Sequence, residues 1–581
     1  MTLRRERTIV LAMVIGHLLL ALAYSVINPL GEAPDEADHW AYVVHIARER
    51  ELPGAKVTQA KHPPFYHATA ALVSLPADPT NDFLRINPDT ELAPHAGWSP
   101  NFFIHTAREE WPWTSGILGF HLARLWSVLL STLTVAAVYG LARAALPGRG
   151  YVALGATALA AFLPEFAFIG SSVSNDGAAA LFGTLSLWGG FAIYRGGGRF
   201  RPGWWAPLAL GLGFLTKVST AALWPIVGLT IVLGTGGSIR NVLAAWRRWL
   251  STGLLVFVPA LLIAAPWLLR NVQLYGDLLG TEMVRKTVDL RTTPWSWDDT
   301  AWLLRGWFLS FWGKFGGAGH IPMPSWLYWL LGAMCLAAVG GLVRLYLRSD
   351  WRSERWPLTL LLLAVGAVAL GIWQYSLTAL GTDQGRLLFP ALGAFVVLLA
   401  AGLLAWLPER RLRLGATVLG TASLALGVYA LVGVLAPAFA PPAAASDGEW
   451  QPAAVSAPVS FGELALIGYT LDPEPVLYWR ADTAPEEDWR TVLRVTSEDG
   501  SLVWEWRRSP GAGRWSTDRW PVDSVVQDAY AVQWPDWAGP GRYRVEVGLE
   551  AYDQEPVVPQ QDGKPAAAGD HPYFLLGWLK R

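Results

Sequence analysis

The sequence predicts a polytopic α-helical membrane protein that ends in an all-β sandwich domain. Three observations lead there. Only 16% of the 581 residues are charged and 52% are hydrophobic, with a mean hydropathy of +0.30, whereas soluble domains carry about 25% charged residues. Several apolar runs reach the roughly 20 residues that a helix needs to cross a bilayer. Beyond Leu435 those runs stop, and short alternating stretches between turn residues begin. The 33 Trp and 17 Tyr agree with this reading, because their rings favour the membrane–water interface.

From the N-terminus, about eleven spans are expected, at 8–28, 116–145, 151–170, 177–194, 204–217, 220–235, 250–269, 325–347, 356–374, 387–406 and 413–436. The first follows Arg4, Arg5 and Arg7 and contains Ala21-Leu22-Ala23, features shared with a cleaved secretory signal. Its apolar stretch of about 20 residues exceeds the ~7–15 of a signal core, so it reads as a retained helix. Basic clusters follow the fourth span (Arg195, Arg199, Arg201), the sixth (Arg240, Arg247, Arg248), the eighth (Arg348, Arg352, Arg355) and the tenth (Arg410, Arg411, Arg413). All fall on the side of the N-terminus, and excess Lys and Arg mark the cytoplasmic side. The extracytoplasmic side then receives the large loops 29–115 and 270–324, the turns at Asn175-Asp176 and Lys217, the segment 375–386 and the C-terminal domain. Within the loops, NFFIHTAREEWPW and WSWDDTAWLLRGWFLSFWGKF are amphipathic and Trp-containing. Each reads either as a piece lying in the membrane interface or as a surface helix of a folded loop.

Residues 1–436 thus form the transmembrane domain. Residues 437–457 are rich in Ala and Pro and read as a linker. In 458–581, PVLYWRA, RTVLRVTSEDGSLVWEWR, DAYAVQW and PGRYRVEVGLEAYD alternate like strands of a sandwich, with Asp499-Gly500 as a hairpin turn. A net charge of −1 offers no global basic field for nucleic acid. The lone Cys335 forms no internal disulfide and makes Cys-based metal or redox chemistry unexpected.

Charged and polar residues concentrate at the expected outer ends. Directly after the first span, GEAPDEADHW holds Glu32, Asp35, Glu36, Asp38 and His39. Asp35 is an acceptable N-cap, and on a helix starting there it would share a face with His39. The stretch is then either a capped, solvated acidic helix end or a carboxylate held at the membrane surface as a general base. KHPPFYH follows, with two prolines fixing the chain beside His62, Tyr66 and His67. Lys217, Arg270 beside Asn271, and Arg386 lie at outer span ends. Cations there either snorkel to headgroups or hold an anionic substrate such as a lipid phosphate. Asn175-Asp176 is a helix cap or a wall of the site.

Together these motifs resemble the GT-C superfamily of membrane glycosyltransferases, in particular the protein O-mannosyltransferase and lipid A aminoarabinose transferase branches. A bacterial group with a P-D-E-x-x-H motif is more similar still. The resemblance rests on Pro34-Asp35-Glu36 with His39, His62-Pro63-Pro64, Asn175-Asp176, Lys217, Trp267 with Arg270-Asn271, Tyr275-Gly276-Asp277 and Gln384-Gly385-Arg386, and covers roughly residues 1–436. It implies a polyprenyl-phosphate sugar donor and inverting transfer to an extracytoplasmic hydroxyl on a glycan, lipid or protein. Asp35 would be the general base and Glu36 a second catalytic residue that orients it or the acceptor. Lys217, Arg270 and Arg386 would hold the leaving phosphate, and His39, His62, Asn175, Asp176 and Asn271 would be substrate-binding. The donor's phosphoester linkage would supply the energy, so ATP is unnecessary, and the chain has no GxxxxGK[ST] loop. Some branches of the superfamily use a divalent metal, for which Asp35, Asp38, His39 and His62 are the candidate ligands; His39 is otherwise a hydrogen-bond partner. Two other readings share the motifs: a transporter or flippase of lipid-linked sugars, and a catalytically degenerate envelope-assembly protein whose sandwich binds glycan.

Overall fold

Long apolar runs become long helices. The computed structural model describes residues 3–93, 98–236, 239–441, 453–552, 554–567 and 571–581. Among the described residues, eight helices are long and apolar enough to cross a bilayer: Arg4–Ile27, Ser115–Ala145, Asp176–Arg195, Trp246–Tyr275, Ser325–Leu347, Ser349–Ser376, Gly385–Leu404 and Glu409–Ala438. They coincide with eight of the expected spans, and they make this a multi-pass membrane protein. The other three are shorter or broken. The run 151–170 divides into Gly150–Phe162 and Pro164–Ile169, because Pro164 lacks an N–H and forces Leu163 into extended backbone. The run 204–217 yields Ala206–Thr216 and stops where Lys217 turns extended. The run 220–235 starts as a 3-10 turn, Val218–Leu223, before the helix Trp224–Gly234 with Pro225 in its first turn.

The chain divides into two units. The first comprises Met1–Asn28, Ala33–Asn81 and Thr114–Pro437. Its most buried spans are Ser115–Ala145, Asp176–Arg195 and Gly385–Leu404, while Arg4–Ile27, Trp246–Tyr275, Ser325–Leu347 and Glu409–Ala438 leave most of their apolar surface outward. The sequence WSWDDTAWLLRGWFLSFWGKF forms the helix Trp297–Trp312, started by a capping box between Ser296 and Asp299.

The second unit comprises Pro29–Glu32, Asp82–Trp113 and Ala438–Arg581. Among the described residues of its C-terminal part, ten antiparallel strands run β1 (Ala453–Phe461), β2 (Leu464–Thr470), β3 (Val476–Ala481), β4 (Trp489–Thr496), β5 (Leu502–Arg508), β6 (Val525–Ala529), β7 (Arg542–Ala551), β8 (Gln560–Gln561), β9 (Lys564–Pro565) and β10 (Phe574–Lys580). They form a six-stranded sheet ordered β6-β3-β2-β1-β8-β9 and a four-stranded sheet ordered β10-β7-β4-β5. Trp479, Leu493, Val545, Val547 and Leu549 lie in the core of this unit. The β4–β5 turn contains Asp499-Gly500, with Gly500 at φ 86° as a tight hairpin requires.

Several expectations are corrected in this unit. Strand β1 begins at Ala453, inside the stretch read as a linker at 437–457, of which 442–452 lie outside the described residues. Of DAYAVQW only the start is strand, since β6 ends at Ala529. NFFIHTAREEWPW is not a long helix. Glu32 takes the backbone N–H groups of Phe102 and Phe103, the two-residue ladder Phe103–Ile104 pairs with Arg85–Ile86, and only Ala107–Glu109 forms a 3-10 turn. The segment 82–113 is bound to the sandwich through Trp506 on Asp89, Arg85 on Asp488 and Ser516 on the His105 carbonyl.

Candidate functional site

The acidic stretch after the first span is organised by Glu36. Its carboxylate is fully buried and takes two bonds from Arg124, at 2.8 and 2.7 Å, and the Val173 backbone N–H at 2.8 Å. Arg124 spends a third nitrogen on the carbonyls of Ser25 and Asn28, both at 2.7 Å. One buried ion pair therefore ties the end of the first span, the start of helix Glu36–Glu49, the span Ser115–Ala145 and the loop before Asp176 together. A charge inside an apolar span needs a partner, so the lone Arg in SGILGFHLARLWS was the sequence signal for this pair.

Asp35 precedes Glu36 at φ 59°, in the left-handed region that a non-glycine residue enters at a cost of about 1–3 kcal/mol. That geometry turns its side chain away from Glu36 and onto Arg386, at 2.5 Å. Arg386 also donates to Asp176 at 2.7 Å and to Gln384 at 2.6 Å. Asp176 in turn holds the Lys217 ammonium. The result is an alternating line of charge, Asp35–Arg386–Asp176–Lys217. Asp176 and Arg386 are buried, whereas the Asp35 side chain is 45% exposed. The Gln-Gly-Arg motif has a steric explanation. A Cβ on Gly385 would lie 2.3 Å from the Phe311 nitrogen and 2.5 Å from the Trp307 carbonyl oxygen, so only glycine lets the chain pass helix Trp297–Trp312 this closely.

Helix Glu36–Glu49 then presents His39 to the KHPPFYH segment. His39 Nδ1 shares a hydrogen bond of 2.8 Å with His67 Nε2, and its ring lies 5.7 Å from that of His62. Tyr42 stacks on His67 at 4.0 Å. Burial pushes His39 down to about 3; the carboxylates of Asp35 and Asp176 pull the other way, and the cations Arg386 and Lys217 oppose them. His62 and His67 are lowered for the same primary reason. All three rings are neutral at ordinary pH. For Asp35, desolvation raises the carboxyl, but the Arg386 guanidinium first and the Lys61 ammonium after it hold it below the usual range. Burial and the neighbouring Asp35 charge raise Asp38.

The fold thus brings together Asp35, His39, His62, Asp176, Lys217 and Arg386, with Lys61 and His67 as additions. Asn175 borders them: its amide donates to the Thr216 carbonyl at 3.1 Å, and its Oδ1 is buried without a hydrogen bond. Glu36 is spent on Arg124. Arg270 is not in the line of charge; its guanidinium lies against the carbonyls of Leu52 and Pro53. Asn271 bonds the Leu278 carbonyl at 3.2 Å, and Tyr275-Gly276-Asp277 is a helix stop, with Gly276 at φ 76° and Asp277 accepting from the N–H groups of Leu279 and Thr281. Among the described residues, no three of His, Cys, Asp and Glu are grouped to hold a metal ion. Asp35 is bound to Arg386, and His39 Nδ1 is occupied by His67.

No family model and no curated protein matches the chain. Solved structures to which it is similar include the following three. One is the S. cerevisiae protein O-mannosyltransferase Pmt1-Pmt2 complex bound to the sugar donor, at 14% identity and TM-score 0.31, over 50% of this chain and 35% of that one. The second is ArnT from Cupriavidus metallidurans in the apo state, at 15% identity and TM-score 0.40, over 70% and 61%. The third is the Archaeoglobus fulgidus oligosaccharyltransferase in complex with Zn and sulfate, at 13% identity and TM-score 0.39, over 73% and 52%. The chain spans less than two thirds of each.

Proposed function

We propose that this protein is an inverting membrane glycosyltransferase that moves a sugar from a polyprenyl-phosphate donor to an extracytoplasmic hydroxyl, with Asp35 as the general base. The line Asp35–Arg386–Asp176–Lys217 carries this reading: a solvent-reachable carboxylate and a buried one share a guanidinium, and a second cation follows. Displacement at an anomeric carbon needs a base on one face and charge stabilisation of the leaving phosphate on the other. Asp35 takes the acceptor's hydroxyl proton as the oxygen bonds to the anomeric carbon. The bond from that carbon to the phosphate oxygen breaks, and polyprenyl phosphate leaves with the electron pair. Arg386 and Lys217 are the groups proposed to receive it, Arg386 through its planar N–H edge.

Before the donor binds, Arg386 is spent on both carboxylates. A phosphate that claims its N–H groups weakens the Asp35 ion pair. The Asp35 pKa then rises toward the ordinary value, so the base strengthens as the donor arrives. Glu36 serves as a positioning residue that holds Asp35 in its left-handed conformation through Arg124. His39, His62 and Asn175 line the sugar site, the Asn175 Oδ1 offering an unused acceptor to a sugar hydroxyl.

The test is sugar release from polyprenyl-phosphate sugars by purified protein in lipid nanodiscs, comparing wild type with Asp35→Asn. A loss of turnover with donor binding intact supports the base. Equal turnover in both removes Asp35 from the chemistry.

A further inference from the structure

The β-sandwich has its own segregated charge. Residues 458–581 contain twelve Lys and Arg against twenty Asp and Glu, an acidic balance. Half of those cations nevertheless lie on one surface. In the four-stranded sheet, Arg544 opposes Thr496 and Trp578, Arg542 opposes Lys580, Glu546 opposes Arg494, Glu550 opposes Arg490, and Arg494 opposes Glu505. Residues directly opposite one another share a face, and alternate residues along a strand do too. Arg490, Arg494, Arg507, Arg542, Arg544 and Lys580 therefore stand on one side of the sheet, while Val545, Val547 and Leu549 enter the core from the other.

Among the described residues, three carboxylates share that face, Glu505, Glu546 and Glu550, and the last two sit low. The side chains of Glu550 and Glu546 are 3% and 8% exposed, against 48% for Arg507 and 32% for Arg544. A ligand approaching at Arg507 or Arg544 meets guanidinium before it meets Glu546, Glu550 or the 25% exposed Glu505. Aromatic rings hold several of these groups flat: Arg490 over Tyr552 at 4.5 Å, Arg494 over Tyr573 at 4.6 Å and Arg542 over Trp578 at 5.0 Å. Tyr573 lies in the sheet's middle, where a Cβ on Gly548 would meet its ring at 2.6 Å. Four of the six cations already pair within the face, Arg490 with Glu550 at 2.7 Å, Arg494 and Arg507 with Glu505 at 3.1 Å and Arg544 with Glu546 at 2.8 Å, so six cations against three carboxylates leave a net positive surface, and guanidinium edges suit carboxylate or phosphate.

We propose that this face binds an anionic glycan, one bearing carboxylates or phosphates along its length. Charge complementarity selects a polyanion. The choice of a glycan rests on the glycosyl-transfer reading of the helical unit, for which the face would hold the growing or accepting polymer.

The experiment measures binding of polygalacturonate to full-length protein in zwitterionic nanodiscs, with neutral dextran and inorganic polyphosphate as comparisons. The expected result is binding at least tenfold tighter than to dextran, weakened by salt as a charge contact must be. Arg507→Gln with Arg542→Gln, both exposed and so cheap to the fold, should weaken it about tenfold. Glu505→Gln removes opposing charge and should tighten it, an effect that a purely structural ion-pair ladder would not produce. Binding no tighter than to dextran, an unaffected double variant, or equal affinity for polyphosphate each overturns the proposal. Asp35→Asn should bind polygalacturonate like wild type, so a failure of catalysis and a failure of this surface read out separately.

Discussion

His105 in the second unit and His39 in the helical unit are both buried, 6% and 1% exposed, yet they take opposite charge states. Burial opposes the charged form of each. At His105, Glu109 meets one ring nitrogen and Glu32 the other, each at 3.0 Å, and together they overcome burial and push the pKa up to about 10. His39 also has carboxylates nearby, but Asp35 and Asp176 are already balanced by Arg386 and Lys217, so burial wins and the pKa falls to about 3. The difference teaches that a histidine responds to carboxylate charge left over, not to carboxylates counted. In the second unit an imidazolium locks Glu32 to the segment 102–109. In the helical unit the cations are arginine and lysine, and the imidazoles beside them are left as neutral hydrogen-bonding groups.

The largest expected effect comes from breaking that balance. Arg386→Met leaves Asp35 and Asp176 short of a counter-charge. Removing one partner of a buried ion pair costs on the order of 3–5 kcal/mol, and the unbalanced carboxylates should draw His39 upward. Thermal unfolding in detergent and imidazole NMR read both changes; an unmoved His39 resonance would break the account. Asp35→Asn should lower turnover by about 10²–10⁴-fold, the usual worth of a general base, while leaving the protein folded. His105→Leu strips the cation from between Glu32 and Glu109 and should cost about 3 kcal/mol in the second unit, with the stability of the helical unit as the internal control.

The pH dependence sharpens the contrast with smaller effects. The raised His105 pKa means its contribution is fully present below about 6.5 and is lost as pH rises through about 10. The lowered His39 works the other way: the unfolded chain takes up the proton first, so stability falls as pH drops from about 6.5 toward about 3. Hydrogen exchange of 36–49 and of 102–109 across both ranges should show opposite trends. The smallest effect belongs to an exposed pair such as Lys286–Glu282, 3.3 Å apart, where Lys286→Ala should change stability by no more than about 0.5 kcal/mol.

Much of the fold was legible because apolar length, proline placement and turn chemistry are local properties. The eight long spans, the capped helix 297–312 and the Asp499-Gly500 hairpin all follow from neighbours within a few residues. The site was legible in part. Asp35, Asp176, Lys217 and Arg386 carry charge at span ends, where isolated charges are costly, and they converge. Arg270, Asn271 and Tyr275-Gly276-Asp277 stand in an equally suggestive sequence, yet they brace and stop a helix. Glu36 looked like a twin of Asp35, but Arg124 claims it. The grouping of 82–113 with the sandwich depended on Glu32, Asp89 and Asp488 finding partners far away in sequence.

By itself the sequence determined that the chain would sink long helices into lipid, carry strands after them and gather acid and base at helix ends, because hydrophobic periodicity and turn chemistry act over short stretches. Only the tertiary structure decided which charges neutralise one another. Arg386 lies 351 residues from Asp35 and 210 from Asp176, and Coulomb energy depends on distance through space and on burial. The protonation of each histidine and the role of each carboxylate are therefore properties of the folded neighbourhood.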